Sequence, residues 1–296
     1  MSYVLITAAK NEQDYIEKTL DAVVKQTVHP ISWVIVNDGS TDRTEELVKQ
    51  YAKKYPFIRL ITRSVTMERD FDSKVRSMML AWDHTKDLDF DYIGNIDADI
   101  SVPENYYESM IPRFIRNPKL GITGGVRFDY NGKNFLPVQC AKNSVGGPFQ
   151  FFRRQCFEDV GGYIPVRYGG EDSIIEITAR MKGWEVESVA DFHVQQHRMT
   201  SSRTASNRIA QKWREGLRVY LVGYHPLFFT VKGLKMILKP HGLINIFILL
   251  GFYSGFVRLM ERPVTPAFIR YLRKENLSRL KAILKSGSDP LSHQFE

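Results

Sequence analysis

The first 100 residues alternate strand-like and helix-like segments, and this alternation constrains the fold more than any other feature. Apolar segments at 3–8, 33–36, 58–62 and 92–96 have the length and composition of buried strands. Residues 12–25, 41–54 and 74–82 have the patterns of helices between them. Such repeats predict an α/β fold, in which a mostly parallel sheet is flanked by helices.

Polar clusters stand where three of these strands end. Lys10 and Glu12 follow the first strand, and Asp38 closes the second. Asp97-Ala98-Asp99 follows the fourth strand. Ligands of parallel α/β sheets bind beyond the carboxyl ends of the strands. We therefore expect these clusters to form one binding site at a single edge of the sheet.

The two carboxylates of Asp97 and Asp99 are candidates for holding a divalent cation. In extended backbone, residues two apart point to the same face. Carboxylate oxygens suit hard cations and leave coordination positions for phosphate oxygens. On the third predicted helix, the basic side chain of Lys74 could reach a diphosphate at this edge, although an exposed helix face explains it equally well.

Positive charge is concentrated in the last third of the chain. From residue 198 onward there are 17 Lys and Arg against 5 Asp and Glu, whereas the whole chain has a net charge of +8. The uncharged run Leu243–Val257 lies in this region and is shorter than the roughly 20 residues of a spanning helix. We expect amphipathic helices at a membrane surface rather than a nucleic-acid site. The alternative is a helical hairpin packed on the catalytic part or on another subunit.

The start of the chain lacks the basic segment and cleavage site of a signal peptide. We therefore expect the part of the chain that carries the predicted binding site at the cytoplasmic face of a membrane, in a peripheral or interfacial position. Cys140 and Cys156 fit no metal-binding spacing and are interpreted as free thiols.

Four motifs in the same order resemble the inverting family 2 glycosyltransferases of the GT-A fold: residues 6–12, 36–42, 97–99 and 171–172. The resemblance covers about residues 1–197. It implies a GT-A catalytic domain there, with a nucleotide-binding half at about 1–100 and an acceptor half at about 101–197. A basic, helical region of 198–296 would associate with a membrane or bind the acceptor.

The resemblance also implies roles for individual residues. The donor would be a nucleotide sugar of the UDP or GDP type, and the cofactor Mn2+ or Mg2+. Asp99 would bind the metal and the diphosphate, Asp97 would lie near the ribose and metal, and Asp172 would be the catalytic base. The implied donor-binding positions are Ala8, Lys10, Glu12, Asp38, Lys74, Asp97 and Ala98.

Other positions are weaker candidates. Many GT-A enzymes place a metal-binding histidine after the last strand, and we favour His197 over His193 because Arg198 follows it. Glu171, at the start of a predicted helix, is expected to point away from the site. Arg153 and Arg154 are candidates for contacts with phosphate or acceptor.

The sequence contains no Gln-x-x-Arg-Trp, the element that polymer-forming relatives carry after the base. We therefore expect addition of one sugar to a glycan or to a lipid-linked acceptor. Nucleotidyl transfer is an alternative, but the segment Thr7–Lys10 has no glycine for a phosphate loop. A non-catalytic membrane- or nucleotide-binding protein would be expected to lack Asp99 or Asp172, and both are present.

Overall fold

The computed structural model describes residues 1–63, 71–198, 205–238 and 242–286. Within them, nine strands form one sheet. The strands are β1 (Tyr3–Ala9), β2 (Ser32–Asn37), β3 (Ile58–Thr62), β4 (Tyr92–Asn95), β5 (Ile100–Ser101), β6 (Leu120–Tyr130), β7 (Phe135–Pro137), β8 (Phe151–Arg153) and β9 (Glu185–Gln196).

Helices cover the sheet and continue beyond it. They are α1 (Ile16–Val24), α2 (Thr44–Lys54), α3 (Phe71–Asp83), α4 (Tyr106–Arg116), α5 (Arg154–Val160), α6 (Glu171–Met181), α7 (Ala205–Val222), α8 (Pro226–Ile237), α9 (Ile246–Val257) and α10 (Pro266–Ser286). Single turns of 3-10 helix occupy Gly147–Phe149 and Gly242–Asn245.

The strand order is β3-β2-β1-β4-β8-β6-β9-β5, with β7 paired to β6. The first four strands are mutually parallel, β8 runs antiparallel to its neighbours β4 and β6, and β9 runs parallel to β6. The carboxyl ends of β1, β2, β4 and β9 therefore lie at the same edge of the sheet. We refer to it as the carboxyl edge.

The strands and helices predicted for the first 100 residues are all present, because each carries its own hydrophobic signal. β2 is buried along its whole length, as the apolar run at 33–36 predicted. In the middle of the chain, the sequence predicts a strand at 121–128 and a helix at 171–182, and the structure has β6 and α6 at these places. The α/β fold class is confirmed.

Two buried apolar clusters stabilise the chain. The larger packs the sheet against its flanking helices. The smaller joins α7, α8, α9 and α10 to Val166 and to α6. Helix α6 contributes Ile175 to the first cluster and Ile174 to the second, so it connects the sheet to the C-terminal helices. The domain boundary at residue 197 stays a prediction.

The C-terminal region is helical, as expected. Among the described residues, none of the helices combines the length and the hydrophobicity that crossing a membrane requires. The uncharged run 243–257 forms the turn at 242–245 and the short helix α9.

Candidate active site

The loops that follow β1 and β2 are held together at the carboxyl edge. The Asp38 N–H donates to the Ala9 carbonyl at 2.8 Å, which aligns the two strand ends. The Glu12 N–H donates to Thr44 Oγ1 at 2.7 Å, and the Thr41 N–H donates to Asn11 Oδ1 at 2.9 Å. These bonds satisfy backbone N–H groups in the loops beyond the strands, where the sheet provides no partner. They also fix the predicted positions at 8–12 beside Asp38.

Asp38 is buried, with 3% of its surface exposed. Ser73 of α3 donates its hydroxyl to Asp38 Oδ2 at 2.5 Å. Arg63 Nη1 lies 3.2 Å from Oδ1, while its hydrogen bonds go to Ser77 Oγ and to the Ser73 carbonyl. Oδ1 accepts no hydrogen bond from any described residue. A buried carboxylate oxygen without a donor can accept one from a ligand N–H or hydroxyl.

Lys74 pairs with Asp97 directly, at 2.7 Å between Nζ and Oδ2. Burial disfavours the ammonium charge, but the negative charges of Asp97, Glu171 and Asp99 outweigh it and raise the pKa of Lys74. Lys74 is therefore a fixed cation among three carboxylates. The sequence left two explanations of Lys74 open, a contact at this edge of the sheet and an exposed helix face, and the ion pair with Asp97 supports the first.

Asp99 is held by residues at the end of β9. Gln196 Nε2 donates to Asp99 Oδ2 at 3.2 Å, and Arg198 Nε lies 3.4 Å from the same oxygen. Arg198 also forms an ion pair with the buried carboxylate of Glu12. Burial and the neighbouring charge of Asp97 raise the pKa of Asp99. The two aspartates thus lie close enough to repel each other.

His197 reaches the same edge but bonds elsewhere. Its Nε2 lies 2.5 Å from Ser101 Oγ, and its backbone N–H donates to the Asp99 carbonyl at 2.9 Å. Burial and the charge of Lys18 lower the pKa of His197 to about 4, so the imidazole is neutral at neutral pH. His193 instead contacts Phe128 in a tilted arrangement, with ring centres 4.2 Å apart. The role of His197 as a metal ligand stays a prediction.

Glu171 and Asp172 begin α6 beside Asp97. The Ser173 N–H donates to Asp172 Oδ1 at 2.7 Å and orients that carboxylate. Glu171 is buried, and Oε2 receives no hydrogen bond from a described residue. Burial together with the charges of Asp172 and Asp97 raises the pKa of Glu171, against the opposing effect of Lys74. The expectation that Glu171 points away from the site was therefore wrong, since its carboxylate interacts with Lys74 and Asp97.

A glycine sets the position of Asp172. A Cβ added to Gly147 would lie 2.7 Å from Asp172 Cβ and 2.9 Å from its Oδ2, closer than real contacts allow. The Gly147 carbonyl accepts a hydrogen bond of 2.6 Å from Asn95 Nδ2, at the end of β4. Gly147 therefore connects the strand that leads into Asp97 with the helix that carries Asp172.

The donor set of Asp97 and Asp99 suits a hard divalent cation, because both supply carboxylate oxygens. Their mutual repulsion indicates a place where positive charge is favourable. In the described part of the chain, however, no three His, Cys, Asp or Glu side chains form a group that could hold a metal ion. Two carboxylates would leave most coordination positions to a diphosphate and to water.

Two of the predicted phosphate contacts were wrong. Arg153 pairs with Tyr92 at the amino end of β4, which is the edge of the sheet opposite to Asp97. Its guanidinium donates to the carbonyls of Phe114 and Leu120. Arg154 donates to carbonyls in the turn at 86–88. Both arginines satisfy the backbone of the fold.

Sequence reasoning missed several residues of the site. Arg63 directly follows β3, so the strand-end rule that selected Asp38 could have found it. Ser73 and Gly147 have no local signal, because their roles depend on how α3 and the 3-10 turn pack at the carboxyl edge. Ala8 and Ala98 offer no polar side chain and can contribute only backbone groups.

Comparison with known sequences identifies the family. The sequence model described as Glycosyl transferase family 2 matches residues 4–167, more than half of the chain. A poly-beta-1,6-N-acetyl-D-glucosamine synthase from Staphylococcus epidermidis is 26% identical over an alignment of 175 residues, which covers 53% of this chain and 40% of that protein. One from Staphylococcus aureus is 26% identical over an alignment of 201 residues, which covers 62% of this chain and 46% of that protein. The chain thus matches less than half the length of these curated relatives.

Comparison with solved structures agrees in fold. The mannosyltransferase PcManGT from Pyrobaculum calidifontis, in complex with GDP-Man and Mn2+, matches with a TM-score of 0.56 at 17% identity. The match covers 98% of this chain and 76% of that one. TarS 1-349 of S. aureus, in complex with UDP-GlcNAc, matches with a TM-score of 0.54 at 15% identity. This match covers 97% of this chain and 88% of that one. The GT-A fold expected from the sequence is confirmed.

Proposed function

The chain belongs to glycosyl transferase family 2, and from that premise we propose that it moves one sugar from a nucleotide-sugar donor to an acceptor at a membrane surface, with inversion at the anomeric carbon. The observation that carries this proposal is the convergence of four carboxylates at the carboxyl edge. Asp38, Asp97 and Asp99 follow strands of one sheet, and Asp172 reaches the same edge from α6. Family membership favours sugar transfer over nucleotidyl transfer.

In this proposal the nucleoside lies beside Asp38. Its Oδ1 is buried and receives no hydrogen bond from the described residues, so it can accept one from a base N–H or a ribose hydroxyl. The nucleotides bound in the two similar structures are GDP and UDP sugars. The backbone at Ala8 and the side chains of Lys10 and Glu12 would border the same nucleoside.

The diphosphate lies beside Asp97, Ala98 and Asp99. A divalent cation held by the two carboxylates would supply positive charge to the departing diphosphate. Lys74 contributes a second positive charge from the protein itself, and it is already fixed against Asp97. One of the similar structures contains Mn2+, which supports Mn2+ or Mg2+ as the cofactor here.

Asp172 is the proposed base. Its carboxylate takes the proton of an acceptor hydroxyl while that oxygen bonds to the anomeric carbon. The bond from that carbon to the diphosphate breaks at the same time, and the nucleoside diphosphate leaves with the electron pair. Because the nucleophile attacks opposite the leaving group, one such step inverts the anomeric configuration.

Single addition is proposed because the Gln-x-x-Arg-Trp element is incomplete. Gln211 and Arg214 of α7 have its spacing, but Glu215 stands in place of the tryptophan and pairs with Lys212 at 3.0 Å. The two curated relatives carry the name of a polymer synthase, so product length is a direct test. One sugar per acceptor is expected, and a ladder of products would contradict the proposal.

A membrane surface is proposed as partner because α8, α9 and the turn between them expose many large apolar side chains. We call this set the α8–α9 apolar face. Thr230 Oγ1 lies 2.6 Å from Tyr253 OH and joins the two helices on this side. Exposed Lys235 and Arg258 belong to the same segment, as expected for contact with anionic headgroups. The face consists of Leu227, Leu234, Leu238, Leu243, Ile246, Leu250, Tyr253 and Val257.

Flotation with vesicles of phosphatidylglycerol and phosphatidylcholine tests this partner. The variant Leu238→Glu/Leu243→Glu should stay with the soluble fraction, because both side chains are largely exposed and the change adds charge without removing core contacts. Ile115→Glu is the matched control, since Ile115 is exposed on α4, outside the apolar face. Flotation of the double variant at the wild-type level would refute the membrane contact.

The donor proposal is tested by binding of UDP-, GDP- and dTDP-sugars with and without Mn2+ or Mg2+. At least one donor should bind in a metal-dependent way, and Asp99→Asn should abolish that dependence. Asp172→Asn should retain donor binding while transfer falls by 100-fold or more, as roughly expected for loss of a general base. If no donor binds under any metal condition, the proposed function is wrong.

Glu171→Gln separates the two neighbouring carboxylates. Glu171 interacts with Lys74 and Asp97, so its loss should weaken donor binding more than it lowers the rate of transfer from bound donor. If Glu171→Gln abolishes transfer and Asp172→Asn does not, the base is Glu171 and the present assignment fails.

A further inference from the structure

A groove runs along the seam between α7 and α9, outside the site at the carboxyl edge. Its volume is about 510 Å³. Most of the lining is apolar or aromatic, and two arginines complete it. The lining residues are Tyr168, Ile209, Ala210, Trp213, Arg214, Leu217, Phe247 and Arg258.

One end of the groove lies close to the start of α6. Tyr168 stands three residues before Glu171 in the loop that leads into this helix. A Cβ added to Gly170 would lie 3.0 Å from Val222 and 3.2 Å from Arg218, so α7 packs directly on the residue that precedes Glu171. Leu217 of the lining is the neighbour of Arg218. The end of the groove at Tyr168 and Leu217 therefore lies near the loop that leads into α6.

The other boundary of the groove meets the α8–α9 apolar face. Phe247 and Arg258 of the lining are the sequence neighbours of Ile246 and Val257, which belong to that face. The groove therefore connects the surface proposed to contact a membrane with the start of α6. An amphiphile that leaves a bilayer could enter it without exposing its chain to water.

The charge of the groove is positive. Arg214 and Arg258 are exposed, and neither forms an ion pair with a carboxylate in the part of the chain that the structure describes. The lining contains no acidic residue. Outside the lining, the Arg167 guanidinium lies 5.5 Å from the ring centre of Tyr168. Guanidinium groups bind phosphate through charge-assisted hydrogen bonds.

We propose that this groove binds the acceptor, and that the acceptor is a lipid carrying a phosphate-linked headgroup. The hydrocarbon chain packs against Ile209, Trp213 and Phe247, while Arg214 and Arg258 hold the phosphate. The headgroup beyond the phosphate then points toward Asp172. This inference rests on the proposed function and names the substrate class for it.

The test is equilibrium dialysis of the full chain with radiolabelled farnesyl phosphate below its micelle concentration. Farnesol, inorganic phosphate and dihexanoyl phosphatidylglycerol are tested as competitors. The variant Arg214→Gln/Arg258→Gln removes the charges at exposed positions, and Ala210→Trp fills the groove at an exposed position. The matched controls are Arg208→Gln on α7 and Arg270→Gln on α10, which remove exposed arginines outside the lining.

We expect farnesyl phosphate to bind the wild type and both controls equally. The double variant should bind it at least about tenfold more weakly, as expected for loss of charge-assisted hydrogen bonds. Ala210→Trp should also weaken it about tenfold. Farnesol and inorganic phosphate should compete poorly, because farnesol has the hydrocarbon chain without the phosphate and inorganic phosphate has no chain. Dihexanoyl phosphatidylglycerol should compete, because it joins acyl chains to a phosphate-linked headgroup. Equal binding by the double variant, full competition by farnesol, or no competition by dihexanoyl phosphatidylglycerol overturns the proposal.

Donor binding in the same variants separates the two hypotheses. Metal-dependent binding of a nucleotide sugar should be unchanged in the double variant and in Ala210→Trp. If donor binding persists but farnesyl phosphate binding does not depend on the groove, only the acceptor proposal fails. If the double variant loses donor binding, the arginines serve the donor and the acceptor proposal is again wrong. Absence of donor binding in the wild type would refute the proposed function itself.

Discussion

Lys74 is the residue that makes the acidic site possible. It lies 2.7 Å from Asp97 and also experiences the charges of Glu171 and Asp99. Three neighbouring carboxylates would destabilise one another without a cation among them. A fixed ammonium group therefore holds Asp97 in place and offsets part of the neighbouring negative charge before any donor or metal binds, which is the kind of preorganisation that electrostatic catalysis needs.

Gly147 gives a prediction at the scale of one residue. Replacing it with alanine adds a Cβ that would lie 2.7 Å from Asp172 Cβ, so the Asp172 side chain must move. Displacing a base by about 1 Å can lower a rate by roughly 100-fold. We expect Gly147→Ala to reduce transfer by about 10- to 100-fold while metal-dependent donor binding stays near the wild-type level. Transfer and donor binding are measured separately on the purified full chain.

Gly146→Ala is the control for this prediction. Gly146 precedes the same 3-10 turn, with φ of −59°, and a Cβ there would meet the Phe149 ring instead of Asp172. Its effect should be on stability, with transfer and donor binding changed by the same small factor. If Gly147→Ala transfers sugar at the wild-type rate, the contact with Asp172 does not position the base.

The sequence identified the aspartates at the strand ends better than the residues that contact them. Asp38, Asp97 and Asp99 could be found because each follows a hydrophobic strand, and a parallel sheet brings strand ends together. Glu171 was judged from helix geometry alone, which does not include the attraction of Lys74 on α3. Gly147 could not be found, because its role is a distance to a residue 25 positions further along the chain.

At the scale of elements, α7 and α9 cross closely enough for their backbones to touch. A Cβ on Gly216 would lie 2.1 Å from the Ile248 carbonyl oxygen and 2.6 Å from the Phe252 nitrogen. A Cβ on Gly251 would lie 2.2 Å from the Trp213 carbonyl oxygen. The two glycines therefore permit a close helix crossing, and the seam beside it is the groove proposed for the acceptor.

Gly216→Ala should separate these helices and destabilise the chain. Alanine gains up to about 1 kcal/mol in helix propensity. The clash is with backbone atoms that cannot rotate away, so the helices must shift, and overpacking of this kind costs about 1–3 kcal/mol. We expect a lower free energy of unfolding, measured with urea, and weaker binding of farnesyl phosphate. Gln211→Ala, at an exposed position of α7, should change stability by less than about 0.5 kcal/mol. Equal stability of both variants would contradict the close crossing.

The sequence predicted elements that carry their own apolar pattern and missed β5 and β7 for a physical reason. β1 to β4 and their helices carry enough apolar residues to be recognised locally. β5 and β7 contain two and three residues and exist only because β9 and β6 pair with them. α9 appeared in the sequence as an uncharged run, but its ending at Val257 and its packing on α7 depend on tertiary contacts.

At the scale of the whole molecule, α6 links the active site with both hydrophobic clusters. Its first turn carries Asp172, and Arg180 near its end forms an ion pair of 3.0 Å with Glu275 of α10. In its middle, Glu176 is buried and accepts hydrogen bonds from Ser144 Oγ, the Val145 N–H and Gln150 Nε2. This carboxyl group fixes the loop that leads into Gly147, so the position of that loop depends on one buried acid.

Glu176 should make the stability of the whole chain depend on pH. Burial raises its pKa to about 7 from the ordinary 4.5. Between these values the folded chain keeps a proton that the unfolded chain has lost, so the stabilising contribution is complete below pH 4.5 and is lost as pH rises toward 7. The loss can reach about 3 kcal/mol. The free energy of unfolding is measured with urea at pH 5 and at pH 8. The difference between the two values should be smaller in Glu176→Gln than in the wild type or in the exposed control Glu104→Gln. An unchanged difference in Glu176→Gln would mean that this carboxyl group is ionised in the folded chain at both pH values.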